Sequence, residues 1–349
     1  MDRQFYERDF KEAYSLYRQK KYEKASEIFL KTVEGPKNIA AVSNYFLANI
    51  ANIAGDPRTA QNLYYKAFET DSRVAANFLG KEHPNANFVY TGRKKEEKLE
   101  HCPLCKSSKD STPKWCYCIL EMASAHGMAH NPVRVWMYCE NCHHVYAEEF
   151  PFQDNVTDAN TAGGARVTKP QMFSVYSDIL NNLGSYSSGN EFLEIGIGAS
   201  ECSCAAVEMG YNVLGLDIVQ PNVDQALSYG INAITQDFVE FETDKKWDII
   251  VMGDVIEHVS DPVIAIKKVA ELLNDGGVFW ISTPNFGSAW GMVDGHNDVM
   301  RREVNHKNYF SRESLIRLLG EFGLKPIEYR ISKQYRGSME IVSIKDSVV

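Results

Sequence analysis

From Pro170 onward, short apolar runs alternate with amphipathic ones. Glu191–Ile195, Asn212–Leu216, Asp248–Met252 and Gly277–Ser282 are strand-length and largely apolar, the pattern of strands covered on both faces. Pro170–Leu183 before them, and Cys202–Met209, Asn222–Tyr229 and Pro262–Leu273 between them, carry helical spacing. Buried strands alternating with helices predict a mostly parallel, doubly wound α/β sheet. The first eighty residues differ: their apolar and small positions fit helices packed in pairs.

That helical region repeats itself. Tyr22-x-x-Ala25-x-x-x-Phe29-x-x-Thr32 recurs 35 positions later as Pro57-x-x-Ala60-x-x-x-Tyr64-x-x-Ala67, and Ala13 and Ala48 share the offset. Small residues let two antiparallel helices approach closely, while Phe29 and Tyr64 fill the space between pairs. The pattern resembles the tetratricopeptide repeat, whose period is about 34 residues; a plain helical hairpin accounts for the same positions. Two repeats are fewer than the roughly three an independent solenoid needs, so the array is expected to pack on a neighbour or a partner.

The run Arg93–Lys98 follows the Pro/Asn-rich patch His83–Asn87 and reads as an exposed connection. The polar stretch Gln153–Lys169, with Gly163-Gly164, reads as a loop or linker over the active site. The expected organisation is helical repeats over 1–92, a cysteine-rich module over 99–150 and an α/β domain over 165–349.

Hydrophobic residues make up 44% and charged residues 24% of the chain, enough for an ordinary globular core. No apolar run approaches the ~18 residues of a spanning helix. The N-terminal residues carry charge of both signs without a following apolar stretch, so an intracellular, cytoplasmic protein without a membrane partner is expected. Net charge is −9, unevenly spread: residues 1–99 hold 17 Lys/Arg against 13 Asp/Glu, the remainder 20 against 33. An acidic C-terminal part repels phosphate backbones and argues against nucleic acid as substrate.

Eight cysteines in such a chain point to metal or burial, not to a disulfide framework. Cys102-Pro-Leu-Cys105 and Cys139-Glu-Asn-Cys142 are two C-x-x-C knuckles. Each places two thiolates on one tight turn, and together they complete a tetrahedron around Zn²⁺. Four thiolates leave no open position, so the site is expected to be structural. Cys116, Cys118, His143 and His144 are spare ligands or buried side chains.

The most informative segment is Phe192-Leu-Glu194-Ile-Gly196-Ile-Gly198-Ala-Ser200. A buried strand enters a glycine turn, where the backbone can approach a ligand that a Cβ would obstruct. The third glycine of a dinucleotide fingerprint is absent, since Glu201 stands there. Glu194, ahead of the turn, suits a cationic ligand. Asp217 ends the next strand, where a carboxylate can take ribose hydroxyls. Asp237-Phe238 offers a carboxylate for an adenine amino group and a ring for the base. Gly253-Asp254-Val-Ile-Glu257-His258-Val and Asp261-Pro262 follow the next strand.

In order and spacing these segments resemble the class I S-adenosylmethionine-dependent methyltransferases over about 180 residues, in particular their ubiquinone-biosynthesis-like and sugar-methylating branch. The resemblance implies a Rossmann-like seven-stranded methyltransferase domain. It places Glu194, Gly196 and Gly198 at the methionine portion of the cofactor, Asp217 at the ribose, Asp237 and Phe238 at the adenine, and Gly253 and Asp254 beside the sulfonium. Ser200 stands where many members have a third glycine.

Methyl transfer is an in-line displacement that needs alignment and, for a hydroxyl or carbon acid, removal of a proton. His258, after the fourth strand, is the candidate base, with pocket-shaping as the alternative. The segment from Thr283 to Phe310 corresponds to the family's variable substrate insertion, and His296, His306, Tyr309 and Trp290 are its candidates for acceptor contact. Tyr309 and Phe310 also read as packing residues ahead of a helix capped by Ser311. A cysteine-knuckle module ahead of this branch resembles the sugar C-methyltransferases. The expected acceptor is a sugar, nucleotide sugar or other small metabolite; the alternative is a peptide, protein or carrier-bound glycan recruited by the N-terminal helices.

Overall fold

The computed structural model describes residues 3–108, 111–122, 130–150 and 165–346; residues 153–164 of the expected linker lie outside them. Helices α1 (Arg3–Arg18), α2 (Tyr22–Thr32), α3 (Lys37–Ile53), α4 (Pro57–Thr70) and α5 (Ala75–Leu79) form the N-terminal region. Ala13, Ala25, Ala48, Ala60 and Ala67 are fully buried, as are Phe29 and Tyr64, so the repeated small and aromatic positions are the ones that pack. Phe29 stacks on Phe46 across the two helix pairs at 5.5 Å between centroids. Asp56 caps α4 by accepting from the Thr59 N–H at 3.0 Å, with Pro57 in the first turn.

Strands β1 (Glu97–Lys98), β2 (Ser111–Cys118), β3 (Val133–Cys139), β4 (Val145–Ala147) and β5 (Glu149–Phe150) make the cysteine-rich module. β2, β3 and β4 pair antiparallel, and β1 pairs with β5. The module docks on the helices. Arg58 on α4 forks onto the nearly buried carboxylate of Glu148 at 2.7 and 2.8 Å. Cys116 and Cys118 face the same apolar core as Tyr45, Ala48 and Tyr64. They are packing thiols, not ligands.

The α/β part runs α6 (Pro170–Gly184), β6 (Glu191–Ile195), α7 (Glu201–Glu208), β7 (Asn212–Asp217), α8 (Gln220–Ser228), β8 (Ala233–Thr235), β9 (Trp247–Gly253), α9 (Pro262–Leu272), β10 (Leu273–Pro284), α10 (Ala289–Asp294), β11 (Asn308–Tyr309), α11 (Arg312–Glu321), β12 (Leu324–Ile331) and β13 (Ser338–Lys345). A seven-stranded sheet has the order β12-β13-β10-β9-β6-β7-β8, with β13 antiparallel to both its neighbours. Leu193, Ile195, Ile250 and Met252 enter one core, while Phe192, Ile249 and Val251 enter the other. Both faces are covered, and this is why these strands read as continuous apolar runs. β10 begins at Leu273, four residues ahead of the expected strand, because Leu273 already pairs with Trp247.

One strand of the α/β part leaves that sheet. β11 pairs antiparallel with β4, Asn308 opposite Tyr146 and Tyr309 opposite Val145, giving a four-stranded sheet β11-β4-β3-β2. The module expected over 99–150 is therefore completed by residues from the domain expected over 165–349. No helix among the described residues is long and apolar enough to cross a membrane.

Candidate active site and cysteine cluster

At the carboxyl end of β6 the chain turns through Gly196 at φ +79° and Gly198 at φ +48°. A Cβ on Gly196 would collide with a Val255 methyl group, so the turn needs glycine there for space as well as conformation. Ser200 adopts φ +67° and is fully buried, and its hydroxyl finds no partner among the described residues. A buried orphan hydroxyl on a glycine turn is an unfilled polar contact.

Asp217 ends β7 and reaches back to this turn. Its Oδ2 accepts from the Gly198 N–H at 3.0 Å and the Asn222 amide at 3.2 Å; its Oδ1 accepts from the Val219 N–H at 2.8 Å. The carboxylate is thereby locked beside the turn. Asn222 also accepts from the Arg166 N–H at 3.1 Å, and the Arg166 side chain passes 3.6 Å from where a Gly198 Cβ would lie. Arg166 has no signal in the sequence: it falls in a polar stretch without periodicity.

Glu194 is buried and accepts a short hydrogen bond from the Ser203 hydroxyl. Burial pushes its carboxyl up to about 8, against the lowering effect of that bond. Asp237 accepts from the Val239 N–H at 2.9 Å. Phe238, only 5% exposed, shares the core with Leu216, Phe241 and Trp247, so its ring is committed to packing.

Gly253 ends β9, and Asp254 follows at φ +53°. A Cβ in that conformation costs about 1–2 kcal/mol, although Asp is among the residues that adopt it most readily. Asp254 accepts from Ser282 at 3.4 Å, and burial raises its carboxyl to about 7 despite nearby Arg166. Glu257 is buried and accepts from Thr283 at 2.9 Å; burial, then the neighbouring Asp254, hold its carboxyl well above the usual range.

His258 donates from Nδ1 to the Asn305 carbonyl at 3.1 Å, the tautomer that leaves Nε2 able to accept a proton. Its ring meets His306 edge to face at 4.9 Å, and His306 Nε2 lies 4.0 Å from Glu257. Burial draws both imidazoles down to about 3, with His306 adding to the effect on His258 and Arg134 to that on His306. Glu257, His258 and His306 each offer one ligand atom, all within 4.8 Å of one another, a set able to relay a proton or hold a divalent cation. The structure thus brings His258 and His306 together. Tyr309 stands apart: its buried hydroxyl donates to Asp298 at 2.9 Å, and its ring packs on Trp136 and Phe286. His296 faces the N-terminal helices, its Nδ1 3.1 Å from the Asn52 amide. A cleft of about 390 Å³ between Asn85–Lys94 and His130–Pro132 contains none of the expected site residues.

The two knuckles converge. Cys102 and Cys142 sulfurs lie 3.6 Å apart, Cys105 and Cys139 sulfurs 3.5 Å, and all four lie within 4.8 Å of one another. Four sulfurs at ~2.3 Å from a tetrahedral zinc would be about 3.8 Å apart. Each knuckle closes with a backbone bond back to its first cysteine, Lys106 N–H to Cys102 at 2.9 Å and His143 N–H to Cys139 at 2.8 Å. The Asn141 amide donates to Cys105 at 3.4 Å. The Cys102–Cys142 contact lowers the Cys102 thiol and raises that of Cys142, so the two sulfurs share one proton in the absence of a metal. The donor set fits a metal-held thiolate. His144 is turned elsewhere, its Nε2 3.0 Å from Asn308.

Residues 169–329 match the family model of a methyltransferase domain. Over those residues the chain carries a methyltransferase domain. The ubiquinone biosynthesis O-methyltransferase of Rickettsia bellii is 30% identical to it over 101 residues, covering 27% of this chain and 42% of that protein. The Bartonella bacilliformis protein of the same name is 28% identical over 154 residues, 40% of this chain and 62% of that one. The matches therefore span less than two thirds of these relatives. Magnesium protoporphyrin IX methyltransferase from Synechocystis PCC 6803, solved with bound S-adenosylhomocysteine, aligns at 17% identity over 55% of this chain and 94% of that one, with a TM-score of 0.42.

Proposed function

We propose that the chain transfers a methyl group from S-adenosylmethionine to a small-molecule acceptor, a sugar, nucleotide sugar or other small metabolite. The observation that carries this reading is the convergence of the Gly196–Ser200 turn, Asp217 and the left-handed Asp254 at the carboxyl ends of β6, β7 and β9, where open α/β sheets bind ligands. The cofactor supplies the electrophilic methyl carbon. Glu194 would face its ammonium group, Asp217 its ribose, Asp237 its adenine, and Gly253 and Asp254 its sulfonium. His258, its Nδ1 held by the Asn305 carbonyl, is the proposed base beside His306. Cys102, Cys105, Cys139 and Cys142 would hold one structural Zn²⁺.

The full chain incubated with methyl-labelled cofactor and a panel of sugars, nucleotide sugars and small phenols and amines should place label in the small-molecule fraction. Label found only in added peptides or carrier proteins would transfer the acceptor role to the alternative in which the helices recruit a macromolecule. No binding of S-adenosylhomocysteine would sink the reading. Metal analysis after chelator-free reducing purification should give one zinc per chain; none would leave the four cysteines as packing thiols.

A further inference from the structure

The cysteine module does more than sit ahead of the methyltransferase domain. Its strands hold the backbone of residues 301–308. Trp136 donates to the Arg301 carbonyl at 2.8 Å, and Arg134, fully inside the protein, donates to the Val304 and His306 carbonyls at 3.1 and 3.0 Å. The Ala147 N–H donates to the Lys307 carbonyl at 2.9 Å. This same stretch carries His306 and, from Lys307 and Asn308, donates two N–H bonds to the Glu257 carbonyl at 2.7 and 3.0 Å.

Asn308 stands at the crossing of these contacts and is 1% exposed. Its side-chain oxygen faces His144 Nε2 at 3.0 Å, two residues past the last knuckle cysteine; its amide donates to the Val259 carbonyl at 2.7 Å. The other knuckle makes a parallel link, since Lys106, directly after Cys105, meets Asp261 at 2.8 Å, the residue that caps α9. Both knuckles therefore grip the 257–261 turn from outside, one through a buried neutral network and one through a surface ion pair. The buried link is the stronger constraint, because a surface pair is worth only about 0–1 kcal/mol whereas an unmet buried group costs more.

We propose that Asn308 is a positioning residue through which the four-cysteine site sets the geometry of Glu257, His258 and His306, making the module the outer wall of the acceptor site. The inference rests on reading the four cysteines as a metal site. It makes the acceptor side of the cleft dependent on the metal while the cofactor turn, held by Asp217 and Asn222, is independent of it.

Hydrogen exchange on the full chain tests this. Chelation of the metal should speed exchange in peptides covering 257–261 and 301–310 at least tenfold, leaving 194–200 and S-adenosylhomocysteine affinity within about twofold. Asn308→Ala should do the same with zinc still bound, and the ring signals of His258 and His306 in histidine-labelled protein should move. Asn308→Gln keeps both a neutral oxygen and an amide donor on a longer side chain, so it should retain part of the protection and of the His306 signal. The proposal is overturned if chelation opens 102–147 while 301–310 keeps its native rate, or if Asn308→Ala leaves exchange and both histidine signals unchanged. Should Asn308→Ala unfold, the chelation arm and Asn308→Gln decide alone. Absence of zinc would refute the metal reading by itself, with the Asn308 arm still deciding whether the module positions the turn.

Discussion

Replacing Glu194 by Gln removes a charge that the free protein largely lacks at neutral pH. Burial raises this carboxyl to about 8, so about 1% of it is ionised at pH 6 and about a quarter at pH 7.5. A bound ammonium group needs the ionised form, so binding must expel the proton. Affinity should then rise about 25-fold between pH 6 and pH 7.5, or ~1.9 kcal/mol. S-adenosylhomocysteine is the ligand of choice because it keeps the amino-acid ammonium and lacks the sulfonium charge, which would also engage Asp254. Calorimetry at pH 6.5 in buffers of different ionisation heat should show close to one proton released per ligand. Glu194→Gln should flatten the pH profile and abolish most of the release, while Asp254→Asn should preserve both. The sign for stability is opposite: a carboxyl raised in the fold stabilises below its unfolded value, and that contribution is lost as pH rises through about 8. Free Glu194→Gln should therefore tolerate alkaline pH better than the parent. A flat profile for the parent chain, or an unchanged slope in Glu194→Gln, would refute the assignment of this carboxyl to the ammonium.

Asp217→Ala should weaken S-adenosylhomocysteine binding by about 1–3 kcal/mol through lost hydrogen bonds; undiminished affinity by calorimetry removes the ribose role. Ser200→Gly should stabilise the free protein by about 1 kcal/mol in urea denaturation, since it relieves a left-handed residue and an orphan hydroxyl; a loss of stability would show that Ser200 makes a compensating contact. His258→Ala should lower the maximal rate by roughly 10²–10⁴ at unchanged cofactor affinity, with partial recovery at higher pH. Cofactor affinity falling in step with the rate would make His258 a pocket-shaping residue.

The parts of the fold legible in the sequence are those whose signal is local. β6, β7 and β9 begin and end within two residues of expectation because each is an apolar run on a covered sheet, and the glycine turn is visible because space at Gly196 allows no side chain. β8 carries no such signal: it is three residues long with Ile234 and Thr235 exposed, too short for a period. β11 is two residues long, and only its distant pairing with β4 makes it a strand. The same distance hid Arg134 and Trp136, whose buried donors serve carbonyls more than 160 positions away. His258 stands in a legible motif, but its contact with His306 spans 48 positions of chain and has no local trace. Tyr309 shows the converse: it is an aromatic in a substrate-like insertion, yet its hydroxyl serves Asp298.

The edge of β4 is closed by a strand made much later in synthesis. Tyr146 and Val145 wait for Asn308 and Tyr309, and a ribosome adding ~5–20 residues per second needs roughly 10–30 s to cover that distance. During that interval the nascent chain presents an open sheet edge, the kind of surface that invites pairing with another chain. A zinc ion captured early by the two knuckles would tether β3 to the start of the module before its final neighbour exists. Expression in zinc-poor medium, or a pause engineered between codons 150 and 308, should therefore reduce yield through aggregation even when the finished fold is unchanged.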